Sequence, residues 1–472
     1  MAPTILWFRR DLRLSDHPAL DEALRRGGSD GVLPLFVLDD RLLGPCGPTR
    51  ARYLAESLSA LERSMGSPLC VRSGRPSEVL AGLVAELGAR SVVVTADFGP
   101  EGRRRDEAVA AALQPDASLI SISSPYVVDP GTLRSSSGEG FKVFSAFRRR
   151  WEALGPVAVA VRPELRWSQA ASNASISDIV DRAAKSRPDY FGDLPDGPAP
   201  LLVVPGEESA RARLDRFVAE GIEDYAEHRD LMAVAGTSRL SPSLRFGEIH
   251  PRSALAAGAG TGEGRRIFRN ELCWREFYAD VLFHRPDSVT KPFQRGLAGL
   301  QVDRGPAAEE RFRCWALGET GIPLVDAAMR QLLSEGWMHN RARMVVASFL
   351  VKHLHLDWRW GARWFMWRLI DGDLASNQHG WQWVAGTGTD AAPFHRIFNP
   401  VAQAERFDPE GDYIRRYVDE LKGLDAPQVL RPHSGQLLEP ARYPPPMINL
   451  ADERAEALRR YAALRQSTST RS

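Results

Sequence analysis

The first quarter of the chain alternates two textures. Runs at 4–8, 31–38, 68–72, 91–95 and 118–121 are short, apolar and rich in β-branched residues, the pattern of strands buried on both faces. Between them, 16–26, 49–65, 77–87 and 103–113 place apolar side chains three or four positions apart, the helical period. This alternation predicts an α/β domain over 1–130, built on a parallel, five-stranded, doubly wound sheet. Ligands of such sheets sit beyond the C-terminal strand ends, where this chain carries Arg9, Arg10, Asp97 and Phe98.

The texture changes over 131–205. RSSSGEG, SQAASNASIS and PDGPAPLLVVPGEE are rich in Ser, Gly and Pro, which predicts a long interdomain linker. From 206 to 465 the period is helical and β-rich runs are few, so an all-α domain is expected. Most tryptophans lie there: Trp274, Trp315, Trp337, Trp358, Trp360, Trp364, Trp367, Trp381 and Trp383. The polar end, QSTSTRS at 466–472, predicts a disordered tail. No repeat of 20–50 residues is present.

Composition narrows the function classes. Apolar residues at 43% and charged residues at 26% support packed domains rather than global disorder. Net charge is +1, so any basic surface is local. Only five of the 61 basic residues are lysines. Arginine suits bidentate recognition of phosphate and carboxylate, and a GC-rich genome would produce the same bias. Cys46, Cys70, Cys273 and Cys314 lie far apart, with neither zinc spacing nor a disulfide framework, which fits a reducing cytoplasm. The apolar run in MAPTILWFRRDLRL is too short for a signal peptide, and no later stretch is long and charge-free enough to span a bilayer. GAGTGEG at 258–264 misses GxGxxG because position 263 is Glu, and no strand precedes it. His353 and His355, two apart on a predicted helix, face different ways, and no metal is expected.

Three segments carry candidate chemistry. In GTSRLSPSLRFGEI, Thr237, Ser238 and Ser241 precede or open a helix beside Arg239, where hydroxyls and backbone N–H groups can receive a phosphate. A plain N-cap would explain one Ser but not the cluster. In NELCWREFYADVL, Glu271, Trp274 and Tyr278 share a helix face, and a flat ring beside a carboxyl suits a planar base. In the segment 336–400, Asn340, Arg341 and Arg343 open an apolar helix. Asp371 and Asp373 flank a glycine as partners for Arg343, and Asn377 follows in a loop before Trp381 and Trp383. Aliphatic core packing does not account for polar groups placed among these apolar residues. A polar heterocyclic ligand would satisfy them.

WFRRDLRLSDHPAL, GTSRLS, NELCWREFY, GWMHNRARM, IDGDLASNQHGWQW and TGTDAAPFHRIFNP resemble the photolyase/cryptochrome flavoprotein family over nearly the whole chain. Within it the likeness is greatest to bacterial class I enzymes acting on cyclobutane pyrimidine dimers. The resemblance implies an α/β antenna domain, a linker, and a helical domain holding FAD. It implies that Tyr225, Thr237, Ser238, Arg239, Leu240 and Ser241 hold the phosphates and ribityl chain, with Phe268 against the cofactor. Arg343 would pair with Asp371 near the isoalloxazine, Gly372 and Asp373 would meet the flavin edge, and Asn377 would face N5.

For the substrate, the resemblance implies that Glu271 and Asn340 hydrogen-bond a flipped dimer. Trp274, Tyr278 and Trp383 would surround it and Met344 would touch it. Arg229, Arg341, Arg396 and Gln403 would approach DNA. The implied reaction is light-driven electron transfer from reduced FAD to a dimer in UV-damaged DNA, by a monomeric cytoplasmic bacterial protein that is nucleoid-associated when bound. A cryptochrome photoreceptor or a (6-4) photolyase is the alternative.

Trp381 and Trp358 match the start of a photoreducing tryptophan chain. The usual third Trp is missing from LQVDRGPAAEERFRC, leaving Trp360, Trp364 and Trp315 as candidates. In TADFGPEGRRRDEAV, the Asn-Glu pair of folate-type antennas is replaced by Glu101 and Gly102, so a deazaflavin (8-HDF) is favoured over folate (MTHF) as antenna, with an absent antenna as the alternative.

Overall fold

The computed structural model describes residues 2–135, 138–155, 158–160, 163–390, 396–433 and 442–469. Five parallel strands form one sheet: β1 Thr4–Phe8, β2 Val32–Leu38, β3 Cys70–Ser73, β4 Ser91–Val94 and β5 Ser118–Ser121. Their order is β3-β2-β1-β4-β5, with Ile5 opposite both Leu33 and Val92. Every residue of β1 and β2 is buried, as continuous apolar runs in a parallel sheet require. β5, at the edge, exposes both of its serines. The intervening helices, Pro18–Gly27, Pro48–Met65, Pro76–Leu87 and Pro100–Leu113, each carry Pro in the first turn, where its missing N–H has no partner to lose.

Strand order reverses between β1 and β4, so a ligand crevice is expected beyond their C-terminal ends. A dense ion network fills that end. Arg9 pairs with Asp106 at 2.5 Å and lies over the Trp7 ring at 4.8 Å. Arg105 covers the same ring at 5.1 Å and reaches Asp97 at 3.2 Å. Burial pushes the Asp97 carboxyl up, but Arg105, Arg9 and Arg10 outweigh it and hold it below the usual range. A Cβ at Gly102 would fall 2.2 Å from the Asp97 carboxyl carbon, so the glycine makes room for this carboxylate.

The chain divides into two compact units, and the division differs from the boundaries read from sequence. The first unit comprises 1–189, 201–223 and 238–286, and the second 190–200, 224–237 and 287–472. Carboxylates that accept hydrogen bonds from distant parts of the chain, Glu207 and the buried Glu248, account for the enlarged first unit. Glu207 accepts from the Leu14 and Ser15 N–H groups at 2.7 and 3.1 Å. Glu248 accepts from Tyr53 Oη, Ser57 Oγ and Gly206 N within 2.8 Å. The segments expected to begin the helical domain are thereby tied to the sheet. The expected linker is also structured: helices span Phe144–Glu152 and Asp178–Lys185, and Trp167 bridges to Val32.

The second unit is a helical bundle. Its core gathers Trp315, Trp364, Phe349 and Tyr413, each buried, from the helices Pro306–Leu317, Asn340–Lys352, Trp358–Arg368 and Asp412–Tyr417. Asp326, fully buried, accepts from Thr320 N, Thr320 Oγ1, Gly321 N and Tyr443 Oη. Burial raises its pKa to about 6 against these bonds. The last helix, Leu450–Ser469, runs past the expected start of the tail at 466 because the helical pattern continues through polar residues.

Candidate functional site

In the first unit the 22-residue helix Glu263–His284 is the organising element. Its Glu276 is buried, and accepts from Val127 N at 2.6 Å, Val128 N at 3.0 Å and Trp151 Nε1 at 3.2 Å. Asp280, one turn on, accepts from Gly131 N at 2.8 Å. These bonds pin the chain after β5 to the helix and fix the face that carries Glu271, Trp274 and Tyr278. Trp274 and Tyr278 sit 5.3 Å apart by ring centroid, as their spacing requires. Glu271 is half-buried.

One face of the Trp274 indole is covered by Phe144, stacked at 3.7 Å and 7°. Sequence reading missed Phe144, because it lies in the stretch taken as linker. Its signal was the spacing of Phe144, Phe147 and Trp151, one face of a short helix. Phe268, buried on the Glu263–His284 helix, packs against Phe217 at 5.2 Å.

The loop before the Ser241–Phe246 helix holds Ser238, half-buried, and Arg239 in a left-handed conformation, φ 48°. The N-cap is Leu240 rather than a hydroxyl residue. Ser241 is already helical and Pro242 follows, so no side chain caps this end. In the second unit, Thr237 is half-buried, Tyr225 is buried, and Arg229 lies over the Tyr225 ring at 5.5 Å.

The second unit gathers the remaining polar candidates. Arg343 pairs with Asp371 at 2.8 Å, and its Nε donates to Met338 O at 2.8 Å. The Asp371 side chain is 2% exposed, and its Oδ1 has no hydrogen-bond partner among the described residues. Gly372 is buried beside it. Asp373 caps the helix Leu374–Ala385, accepting from Ser376 N at 3.0 Å. Asn377, expected in a loop, therefore lies in the first turns of this helix. Its Nδ2 donates to Ala362 O at 3.1 Å and Gln378 Oε1 at 2.9 Å, which leaves Oδ1 as the acceptor it presents.

At the Asn340–Lys352 helix, His339 is the N-cap and accepts from Arg341 N at 3.2 Å. Asn340 is exposed, while Met344 and Trp383 are half-buried against the core. Arg341 is already engaged: it pairs with Asp230 at 2.6 Å and covers Phe407 at 4.4 Å. Arg396 is exposed, and Gln403 has a buried Oε1 without a partner among the described residues. Trp381 packs on Trp315 at 6.1 Å. Trp364 is fully buried against Phe191 at 5.1 Å, and Trp358 has no ring partner among the described residues.

The Asp371 Oδ1 atom tests whether a flavin fits. An orphaned buried acceptor beside an arginine carries a desolvation penalty until a donor reaches it. A ring with N–H and carbonyl edges supplies such a donor and an acceptor for Arg343. Among the described residues no group of three His, Cys, Asp or Glu side chains could hold a metal ion.

A family model described as the FAD binding domain of DNA photolyase matches residues 268–463, which makes this part of the chain a flavin-binding domain. A second, described as DNA photolyase, matches 4–164, and the chain belongs to the DNA photolyase family. It is 38% identical to the deoxyribodipyrimidine photo-lyase of Agrobacterium fabrum over 99% of both chains. It is 36% identical to that of Vibrio cholerae over 97% of this chain and 98% of the relative. The crystal structure of a bacterial class III photolyase from Agrobacterium tumefaciens superposes with a TM-score of 0.88 at 37% identity, covering 99% of this chain and 98% of that one. No described helix is long and apolar enough to cross a membrane.

Proposed function

We infer that the chain is a deoxyribodipyrimidine photo-lyase, which uses light to split cyclobutane pyrimidine dimers in DNA through bound FAD. The match to photolyase relatives along almost the full length of both partners carries this reading. When bound, reduced FAD supplies an excited electron to the dimer and takes it back once the ring has opened.

The protein's own residues bind, orient and exclude water. With the cofactor bound, Asp371 Oδ1 would accept from a flavin ring N–H, and Arg343, fixed by Asp371 and Met338 O, would donate to a ring carbonyl. Asp373 and Gly372 line the same edge. Asn377 would offer Oδ1 as an acceptor towards N5, its Nδ2 being committed to Ala362 and Gln378. Tyr225, Thr237, Ser238, Arg239, Leu240 and Ser241 hold the phosphates and ribityl chain, and Phe268 packs against the cofactor.

Glu271 and Asn340 hydrogen-bond the base edges of the flipped dimer. Trp274, held in one plane by Phe144, would cover its face, and Tyr278, Trp383 and Met344 would each offer it an apolar contact. A damaged pair unstacks at lower cost than an intact one, which is a source of selectivity. Arg229, Arg341, Arg396 and Gln403 act on the DNA backbone. Arg341 does so as a cation anchored by Asp230 and Phe407. The antenna is a deazaflavin rather than a folate: Glu101 replaces the expected Asn, and the space beside Gly102 is taken by Asp97. The protein acts as a cytoplasmic monomer.

The test is repair of an oligonucleotide carrying one thymine dimer. Purified FAD-loaded protein should restore the intact strand under near-UV or blue light and leave it unchanged in the dark. Tight FAD binding without repair of this lesion would favour the photoreceptor, and repair of (6-4) products alone the (6-4) enzyme. The absorption spectrum of the same preparation reports the antenna.

A further inference from the structure

The Asn340–Lys352 helix ends in a buried charge that the repair reading does not use. Lys352 is 1% exposed, and its one hydrogen bond among the described residues runs from Nζ to Arg396 O at 2.9 Å. The Tyr461 ring lies 6.0 Å from the same nitrogen. Burial, with the Arg396 charge adding to it, lowers the Lys352 ammonium from 10.5 to about 8. An ammonium taken out of water is costly, and an apolar side chain would fill the space more favourably. What the charge provides is a grip on one backbone carbonyl.

Ser348, one turn earlier and fully buried, grips the same loop. Its Oγ accepts from Phe398 N at 3.3 Å. Two bonds therefore fix the backbone on either side of Ile397. Asn399 then caps the helix Pro400–Phe407, accepting from Val401 N at 3.0 Å and Ala402 N at 3.3 Å. The Arg396 guanidinium lies over the buried Phe398 ring at 5.6 Å. Arg396 is exposed and has no ion-pair partner among the described residues, unlike Arg341 and Arg343. Asn340, Met344, Ser348 and Lys352 are spaced four apart and form one inclined ridge. Exposure falls along it, from Asn340 through half-buried Met344 to the buried Ser348 and Lys352.

We propose that Lys352 and Ser348 are positioning residues for DNA binding, which hold the 396–398 backbone so that the Arg396 guanidinium reaches a phosphate beside the lesion. This deepens the repair reading above and rests on it. One ridge then serves both halves of the contact. Asn340 and Met344 at its start meet the flipped dimer, and Ser348 and Lys352 at its end fix the arginine that takes the backbone. A planar guanidinium free of a carboxylate partner suits a bidentate phosphate contact. The ammonium itself is buried and acts through the carbonyl.

FAD-loaded wild type, Arg396→Ala, Lys352→Met and the double variant are titrated with an oligonucleotide carrying one thymine dimer, at several salt concentrations. Arg396→Ala should bind about tenfold more weakly and lower the log–log salt slope by about 0.9. Lys352→Met should bind about three- to tenfold more weakly, with part of the same change in slope. Its repair rate at saturating DNA should stay within about twofold of wild type. The double variant should match Arg396→Ala within about twofold, because the lysine has nothing left to position. A lysine that merely stabilises the fold would weaken the double variant by the product of the two single effects. Should Lys352→Met fail to fold, Ser348→Ala takes its place in the same cycle, with the same non-additivity expected. Wild-type affinity and salt slope in either single variant, or a multiplicative double variant, overturns the proposal. Hydrogen exchange of the Phe398 amide reads the anchor without DNA, and Lys352→Met should quicken it about tenfold. Wild-type protein with no preference for the dimer strand would sink the repair reading, and the faster exchange would still show the anchor. Unchanged exchange would sink the anchor and leave the repair reading standing.

Discussion

Replacing Glu276 by Gln removes one of the two carboxyls, with Asp280, that hold the chain after β5 to the Glu263–His284 helix. In the folded protein its pKa is pushed up from 4.5 to about 7. Burial is the cause, opposed by the Val127 N–H, Arg275, the Val128 N–H and the Trp151 indole. A carboxyl with a raised folded pKa holds its proton more tightly when folded than when open. Its contribution is therefore most favourable below about 4.5 and declines as pH rises, the decline ending near 7. At 1.36 kcal/mol per pKa unit the difference is about 3 kcal/mol, or roughly two orders of magnitude in a local opening equilibrium.

Hydrogen exchange of the Val127 and Val128 amides, which donate to Glu276, reads that opening directly. After correction for intrinsic exchange chemistry, wild-type protection should fall about a hundredfold from roughly pH 5 to pH 8. Glu276→Gln has no proton to lose, so its protection should be offset by the weakened hydrogen bonds yet stay flat across the same range. Parallel slopes in the two proteins would refute the assignment of a buried, proton-binding carboxyl at this position.

Further perturbations have equally definite outcomes. Arg343→Leu leaves the Asp371 carboxylate buried without its 2.8 Å partner, a loss of about 3–5 kcal/mol. The purified variant should carry much less flavin by visible absorption. Trp274→Ala removes the ring stacked on Phe144 at 3.7 Å. Dimer-containing DNA should then bind about tenfold more weakly, with undamaged DNA little changed in the same gel-shift titration. Gly361→Ala drives a methyl into the Trp381 ring, 2.1 Å away, and overpacking of this kind costs about 1–3 kcal/mol. The thermal midpoint should drop, with photoreduction slowed as Trp381 moves. DNA affinity should fall with salt at a log–log slope of about −0.9 per phosphate neutralised.

Local chemistry was legible in the sequence and long-range tethers were not. The five strands appear within two residues of their predicted starts, because apolar runs between Gly and Pro admit few alternatives. Arg343 and Asp371 meet as their placement in an apolar region predicted, since a buried charge needs a partner. The unit boundaries were not readable: Glu207, Glu248 and Glu276 look like surface acids in the sequence, and only the fold shows each capping amides far along the chain. The 131–205 segment misled for a related reason. Its Ser and Gly content reads as linker, while Phe144 and Trp151 hold part of it against the Glu263–His284 helix. Asn377 lies in a helix rather than the expected loop because Asp373, besides flanking Gly372, is an N-cap that starts the helix four residues earlier.

Electron transfer from a bound flavin to a flipped dimer competes with the flavin's own emission. Time-resolved fluorescence of chemically reduced, FAD-loaded protein therefore measures how close the two are held. Saturating oligonucleotide with a single cyclobutane dimer should shorten the flavin lifetime about tenfold or more, and the undamaged strand should leave it unchanged. Equal lifetimes with both strands, under conditions where the dimer is shown to be bound, would contradict a lesion held within electron-transfer reach of the flavin.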